Sequence, residues 1–194
     1  MTQMFDQSNV LYEGAVPFVH EQWDKGQKYE ARYHIKVMLQ QDTHRMSARN
    51  TNKMNIEITD ERDQFFLYVC QFDDEAFNQF KNEKHYKVDM AGFSEYLISN
   101  IRCCNGESKQ GMEMVGHSKH QAVLQTDGSQ NGIFMIQIID SIRTAHVIEL
   151  PFRRGDDETL KNYLKDSLKW TKNENETLKT DLQQSNHALS EHQA

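Results

Sequence analysis

Apolar residues recur with a period of two through most of the chain, and that period lengthens twice. The clearest alternation sets Tyr29, Ala31, Tyr33, Ile35, Val37 and Leu39 against Glu30, Arg32, His34 and Lys36, which predicts a half-buried strand. A polar stretch from Gln40 to Lys53 reads as a loop, after which Met54, Ile56 and Ile58 alternate again. Phe65 to Phe72 is apolar on both faces and suits a central strand. Leu11 to Val19 predicts an earlier strand interrupted by Gly14 and Pro17; a proline without an N–H confines it to an edge or a strand end. Met112 to Val115 and Gln121 to Gln125 are weaker strands, and Asp127 to Gly132 is a turn. The strongest pair comes last: Ile133 to Ile139 and Ala145 to Leu150 face each other across a polar tip, and Pro151 is expected to end the second.

The first lengthening predicts helices. Asp73, Asp74 and Glu75 put negative charge where a helix begins, with Phe77 and Phe80 on one face. Phe93, Leu97, Ile101 and Cys104 mark a second amphipathic helix. About seven strands with a two-helix insertion make an α+β head, a β-sandwich or barrel with a helix-turn-helix insertion. The second lengthening follows Gly155, Asp156, Asp157 and Glu158 and counts by sevens. Leu168, Asn175, Leu182 and Leu189 take one seam position; Leu164, Thr171, Leu178 and Ser185 take the other. Lys, Asp, Glu and amide residues fill the rest, so only the stripe is apolar. Pairing in parallel with a second copy buries such a stripe, and Asn175 is the kind of buried amide that fixes register; a helix packed back on its own head is the alternative. The expected division is a flexible segment 1–9, a globular head 10–154 and the start of a coiled-coil stalk 155–194.

Composition narrows the function. The chain has 194 residues and a formal charge of -7, from 29 acidic and 22 basic residues, which argues against a surface built to hold nucleic acid. No apolar run approaches a membrane span, and Met1 to Gln7 lacks the form of a secretion signal, so a cytoplasmic home is expected. Cys70, Cys103 and Cys104 have neither zinc spacing nor a disulfide framework and read as core or helix-face thiols. His117 and His120, the nearest histidine pair, are read as part of a solvated loop. No phosphate loop, nucleophile elbow or zinc helix occurs, and the acidic clusters sit at element boundaries. No catalytic residue, metal site or cofactor is expected.

The hairpin tip holds Asp140, Ser141, Ile142, Arg143 and Thr144, and Ile142 is apolar among polar neighbours. It either folds back on its own domain or docks into something else. Met54-Asn-Ile-Glu-Ile-Thr-Asp60 followed by Phe65-Phe-Leu-Tyr68, then Phe72-Asp-Asp-Glu-Ala-Phe77, Val88-Asp89 and Phe93, resembles the head motif of the spindle-assembly-abnormal six family, the cartwheel protein of centrioles. In order, the resemblance extends over most of residues 10–170. It implies a head like that of the end-joining repair scaffolds on a parallel coiled-coil stalk. It also implies that Ile142, where the family often has an aromatic, inserts into a neighbouring head, with Asp140, Ser141 and Arg143 around it. The receiving pocket is expected on the first inserted helix and adjoining strands. The implied function is a self-assembling scaffold at the centriole and centrosome, with copies of itself and other centriolar assembly proteins as partners. Two alternatives stay open: an end-joining DNA repair scaffold, which would need basic residues along the helix, and a generic coiled-coil adaptor.

Overall fold

A computed structural model describes residues 8–42, 51–107 and 118–192, with side-chain surroundings for 9–40, 52–107 and 118–186. The chain divides into two compact units, Met1–Arg154 and Gly155–Ala194.

In the first unit the seven strands found among the described residues close into a barrel. They are β1 (Ser8–Gln22), β2 (Gln27–Asp42), β3 (Thr51–Asp60), β4 (Asp63–Asp73), β5 (Lys119–Thr126), β6 (Asn131–Ile139) and β7 (Thr144–Arg154). Around the barrel the order is β1-β2-β3-β4-β7-β6-β5, and the parallel pairing of β5 with β1 closes it. Every other pairing is antiparallel. The alternations become the interior: Val16, Phe18, Tyr33, Ile35, Val37, Met54, Ile56, Ile58, Phe134, Ile136, Ile148 and Leu150 are almost wholly buried. Burying one such side chain is worth roughly 1.5 to 3 kcal/mol, so the alternation alone supplies a strong drive to close the sheet.

Both prolines lie inside strands; the expected interruption at Pro17 does not occur, although Pro17 does sit on an edge, as expected. β1 pairs with β2 straight through Gly14 and Pro17, while its pairing with β5 begins only at Phe18. The expected end at Pro151 is also overturned, because β7 continues to Arg154 and Pro151 sits opposite Ile133. The Arg154 N–H donates to Gln130, on the β6 side, so by alternation the N–H that Pro151 lacks would point towards β4. There β4 and β7 pair only at Tyr68–Arg154 and Val69–Arg153, and nothing is lost. The expected loop at Gln40–Lys53 is shorter than read: 40–42 belong to β2 and 51–53 to β3. Ser8 and Asn9, read as part of a flexible segment, belong to β1, and residues 1–7 lie outside the described residues. The strand expected at Met112–Val115 lies outside them as well.

The helices are inserted between β4 and β5. Helix α1 (Asp74–Glu83) is capped by Asp73, whose side chain accepts the Ala76 N–H at 2.8 Å; helix α2 (Met90–Cys104) is capped in the same way by Asp89 and Gly92. Phe72 of β4, Phe77 and Phe80 of α1 and Phe93 of α2 form one aromatic cluster, with ring centroids 4.9 Å apart for Phe72–Phe80 and 5.5 Å for Phe77–Phe93. α1 ends without a glycine. His85 takes the left-handed conformation at φ 59°, and the Tyr86 N–H returns to the Lys81 carbonyl. This stop drives Tyr86 into the cluster, 5.0 Å from Phe93, and towards β7. The second unit is helix α3 (Asp157–His192), capped by Asp156, which accepts the Thr159 N–H at 2.8 Å.

Candidate self-association surfaces

β6 and β7 form the hairpin that carries Ile142. Their register slips between Ile136–Ile148 and Gln137–His146, leaving Val147 without an opposite residue. Such a bulge bends and twists the strand that holds it. The bulged residue is anchored from the other side, where the Tyr86 hydroxyl donates to the Val147 carbonyl at 3.4 Å and Lys84 meets Glu149 at 2.8 Å. Beyond the bulge the hairpin runs out to its tip. Ile142 is 91 % exposed, which decides its position: it does not fold back on its own barrel.

The tip is ordered by one carboxylate. Asp140 Oδ1 accepts the backbone N–H groups of Ile142 and Arg143, each at 2.7 Å, and the Asp140 N–H donates to the Arg143 carbonyl at 3.0 Å. The N–H donors of Arg143 and Ile142 hold the Asp140 carboxyl below its ordinary pKa. Ser141 and Arg143 are exposed. The strand directions place this tip, the start of α1 and the end of β2 at one end of the barrel; Arg154, where the chain leaves, is at the other.

At the tip's end of the barrel a cleft of about 230 Å³ is lined by Leu39, Asn52, Asp74, Phe77, Asn78, Lys81, Asp89, Met90 and Ala91. A larger one, about 550 Å³, lies on the outer wall. Charged residues such as Glu30, Arg32, Asp60 and Arg62 line it together with Ala15, Pro17, Val19 and Ala31.

Along α3 the seam carries its apolar residues into solvent. Leu168, Leu178 and Leu182 are each more than half exposed, and Leu164 is half-buried. Thr171, Asn175 and Ser185 are exposed; Leu189 lies in the helix, but its side chain is outside the described residues. Asn175 Nδ2 donates back to the Thr171 carbonyl at 3.1 Å, a bond within its own helix. Trp170, 65 % exposed, was not singled out by the heptad count because it lies off both seam positions.

Among the described residues no three His, Cys, Asp or Glu side chains converge to hold a metal, and no helix is long and apolar enough to cross a membrane. His120, read as part of a solvated loop, is instead in β5, with Nδ1 buried and without a partner; His117 lies outside the described residues. Cys70 is buried, Cys103 and Cys104 are half-buried, and burial pushes the thiols of Cys70 and Cys104 up to about 12, where they are poor nucleophiles.

The family model of the centriolar protein SAS N-terminal domain matches residues 10–152. The chain belongs to that family. Within the centriolar SAS family, it is 28 % identical over 141 residues to the spindle assembly abnormal protein 6 homolog of Xenopus laevis. That match covers 70 % of this chain and 20 % of the frog protein, so the chain spans about a fifth of the curated relative. The N-terminal fragment of Drosophila melanogaster Sas-6, described as dimerised via its coiled-coil domain, shares the fold with a TM-score of 0.76 at 15 % identity, over 100 % of this chain and 89 % of the fly fragment. An N-terminal fragment of Leishmania SAS-6 that contains part of its coiled coil matches with a TM-score of 0.75 at 20 % identity, over 90 % and 94 % of the two chains. A barrel head with inserted helices and a C-terminal helix is thus the fold of SAS-6 N-terminal fragments.

Proposed function

We propose that the chain is the head and first heptads of a structural scaffold of the centriole cartwheel, acting in the cytoplasm at the centriole and centrosome. Two contacts with copies of itself make the scaffold. Along α3 a parallel coiled coil joins two chains through Leu164, Leu168, Thr171, Asn175, Leu178, Leu182, Ser185 and Leu189. At the head, Ile142 enters a second head, and the cleft lined by Leu39, Phe77, Met90 and Ala91 is its receiver. Tip and cleft share one end of the barrel, which suits a reciprocal contact in which each head both gives and receives.

The observation that carries this reading is the exposure of Ile142, 91 %, on a tip whose backbone is held by hydrogen bonds. A protein gains nothing by fixing an isoleucine in water unless something covers it. Two intersecting twofold axes generate a closed ring, and nine dimers need roughly 20° between the axes. One side chain per pocket makes a weak contact that ring closure strengthens through multivalency.

Ile142→Glu tests the reading, because it replaces the apolar anchor with a carboxylate that must shed its water to enter a cleft already holding Asp74 and Asp89. In sedimentation of the intact chain across concentration, the variant is expected to remain a folded stalk dimer and to lose the larger species, with head-to-head affinity reduced by more than about a hundredfold. Association like the parent's would refute the assignment.

A further inference from the structure

The loop between β6 and β7 is four residues long, 140–143. Loops of this length are most often built around a type I turn, whose first position favours Asp and whose centre needs no left-handed residue. Here the tip is Ser141 and Ile142, and among the described non-glycine residues His85 alone has a positive φ. A β-branched isoleucine is among the residues least able to adopt that conformation. The loop is closed by its main chain on one side only, through the Asp140 N–H and the Arg143 carbonyl. On the other side the N–H groups of Ile142 and Arg143 converge on the Asp140 carboxylate. Ile142 is 91 % exposed, so packing of its side chain does not fix the tip.

We infer that Asp140 is a positioning residue: its carboxylate substitutes for the missing turn closure and presents Ile142 in the shape that enters the second head, without itself touching that head. This rests on the proposed role of Ile142 as the head-to-head anchor. A tip ordered before the encounter does not have to be ordered during it, so the carboxylate strengthens association through pre-organisation. With the aspartate at the first position of the turn, the apex is left free for an apolar anchor.

The test uses the intact chain. Sedimentation measures head-to-head affinity, and amide hydrogen exchange by NMR reads the N–H groups of Ile142 and Arg143. Asp140→Ala is expected to weaken association about fivefold, as loss of a comparable side-chain cap does, and to speed exchange at both amides. Asp140→Asn keeps the accepting oxygen but not the charge, and is expected to stay within about twofold of the parent. The melting temperature of the head is expected to fall by no more than a few degrees in Asp140→Ala and to stay put in Asp140→Asn. An Asp140→Asn chain as weak as Asp140→Ala while its two amides remain protected would make Asp140 a charged contact and overturn the inference. So would an Asp140→Ala chain that associates like the parent while Ile142→Glu does not. If Ile142→Glu itself leaves association intact, the anchor reading fails and the role of Asp140 falls with it.

Discussion

His20 shows how one buried residue ties the head to pH. It is 1 % exposed inside the barrel, yet both ring nitrogens are used: Nδ1 lies 2.6 Å from the Tyr33 hydroxyl and 2.9 Å from that of Tyr29, and Nε2 lies 3.0 Å from Thr126 Oγ1. A neutral imidazole donates at Nε2 to Thr126 and accepts at Nδ1 from one of the two tyrosine hydroxyls, which also hydrogen-bond to each other. A second proton turns Nδ1 into a donor and leaves at least one tyrosine without its acceptor. Burial, with a smaller push from Lys25, accordingly holds the His20 pKa below the ordinary 6.5. The unfolded chain then binds a proton below about pH 6.5 that the folded head resists, so stability is flat above that value and falls as pH drops through it. His120, its pKa also lowered by burial, adds a term of the same sign. The melting temperature of the head is expected to fall by a few degrees between pH 7.5 and 5.5, and His20→Gln to remove part of that slope, as calorimetry at the two pH values would show. Neither the burial of His20 nor its partners could be read from the sequence, because Tyr33 and Thr126 meet it only when β2 and β5 flank β1.

For whole elements, the hydrophobic period told more than the punctuation did. A half-buried strand must alternate whatever it pairs with, so β2, β3, β6 and most of β7 were legible as elements. The acidic caps at Asp73 and at Asp156 were legible for a similar local reason. Where strands end depends on which neighbour needs which N–H, and that is why Pro151 misled. Phe65, read as part of a strand buried on both faces, is 61 % exposed, because β4 meets β7 only at Tyr68 and Val69. The stalk is the opposite case: its pattern is local and complete, and Leu178 and Leu182 are 60 % and 62 % exposed in the single chain. Replacing both with Asp is expected to raise the dissociation constant of the stalk dimer by more than about a hundredfold. Sedimentation should then find monomers, and circular dichroism should find the β-structure of the head melting as before. Cooperative loss of that β-structure would instead mean that the helix folds on its own head.

At the scale of the molecule, the proposed assembly needs two self-contacts of different kinds. The proposed stalk seam is long and repetitive, whereas the proposed head contact is a single anchor in a cleft of about 230 Å³. With increasing concentration, electron microscopy is expected to show paired heads on a stalk first, then curved chains and closed rings; Ile142→Glu should stop at the first stage. Compact single copies at every concentration would count against both contacts.

What the sequence determined by itself is local: alternation, heptads, capping aspartates and an isoleucine set among polar residues each report on side chains a few positions apart, where geometry is fixed by the backbone. The tertiary structure alone decided that the isoleucine stands in solvent, that a bulge at Val147 and a phenol from Tyr86 hold its hairpin, and that a cleft shares its end of the barrel. Those facts depend on which strands become neighbours when the sheet closes, and contacts between distant segments leave no period in the chain.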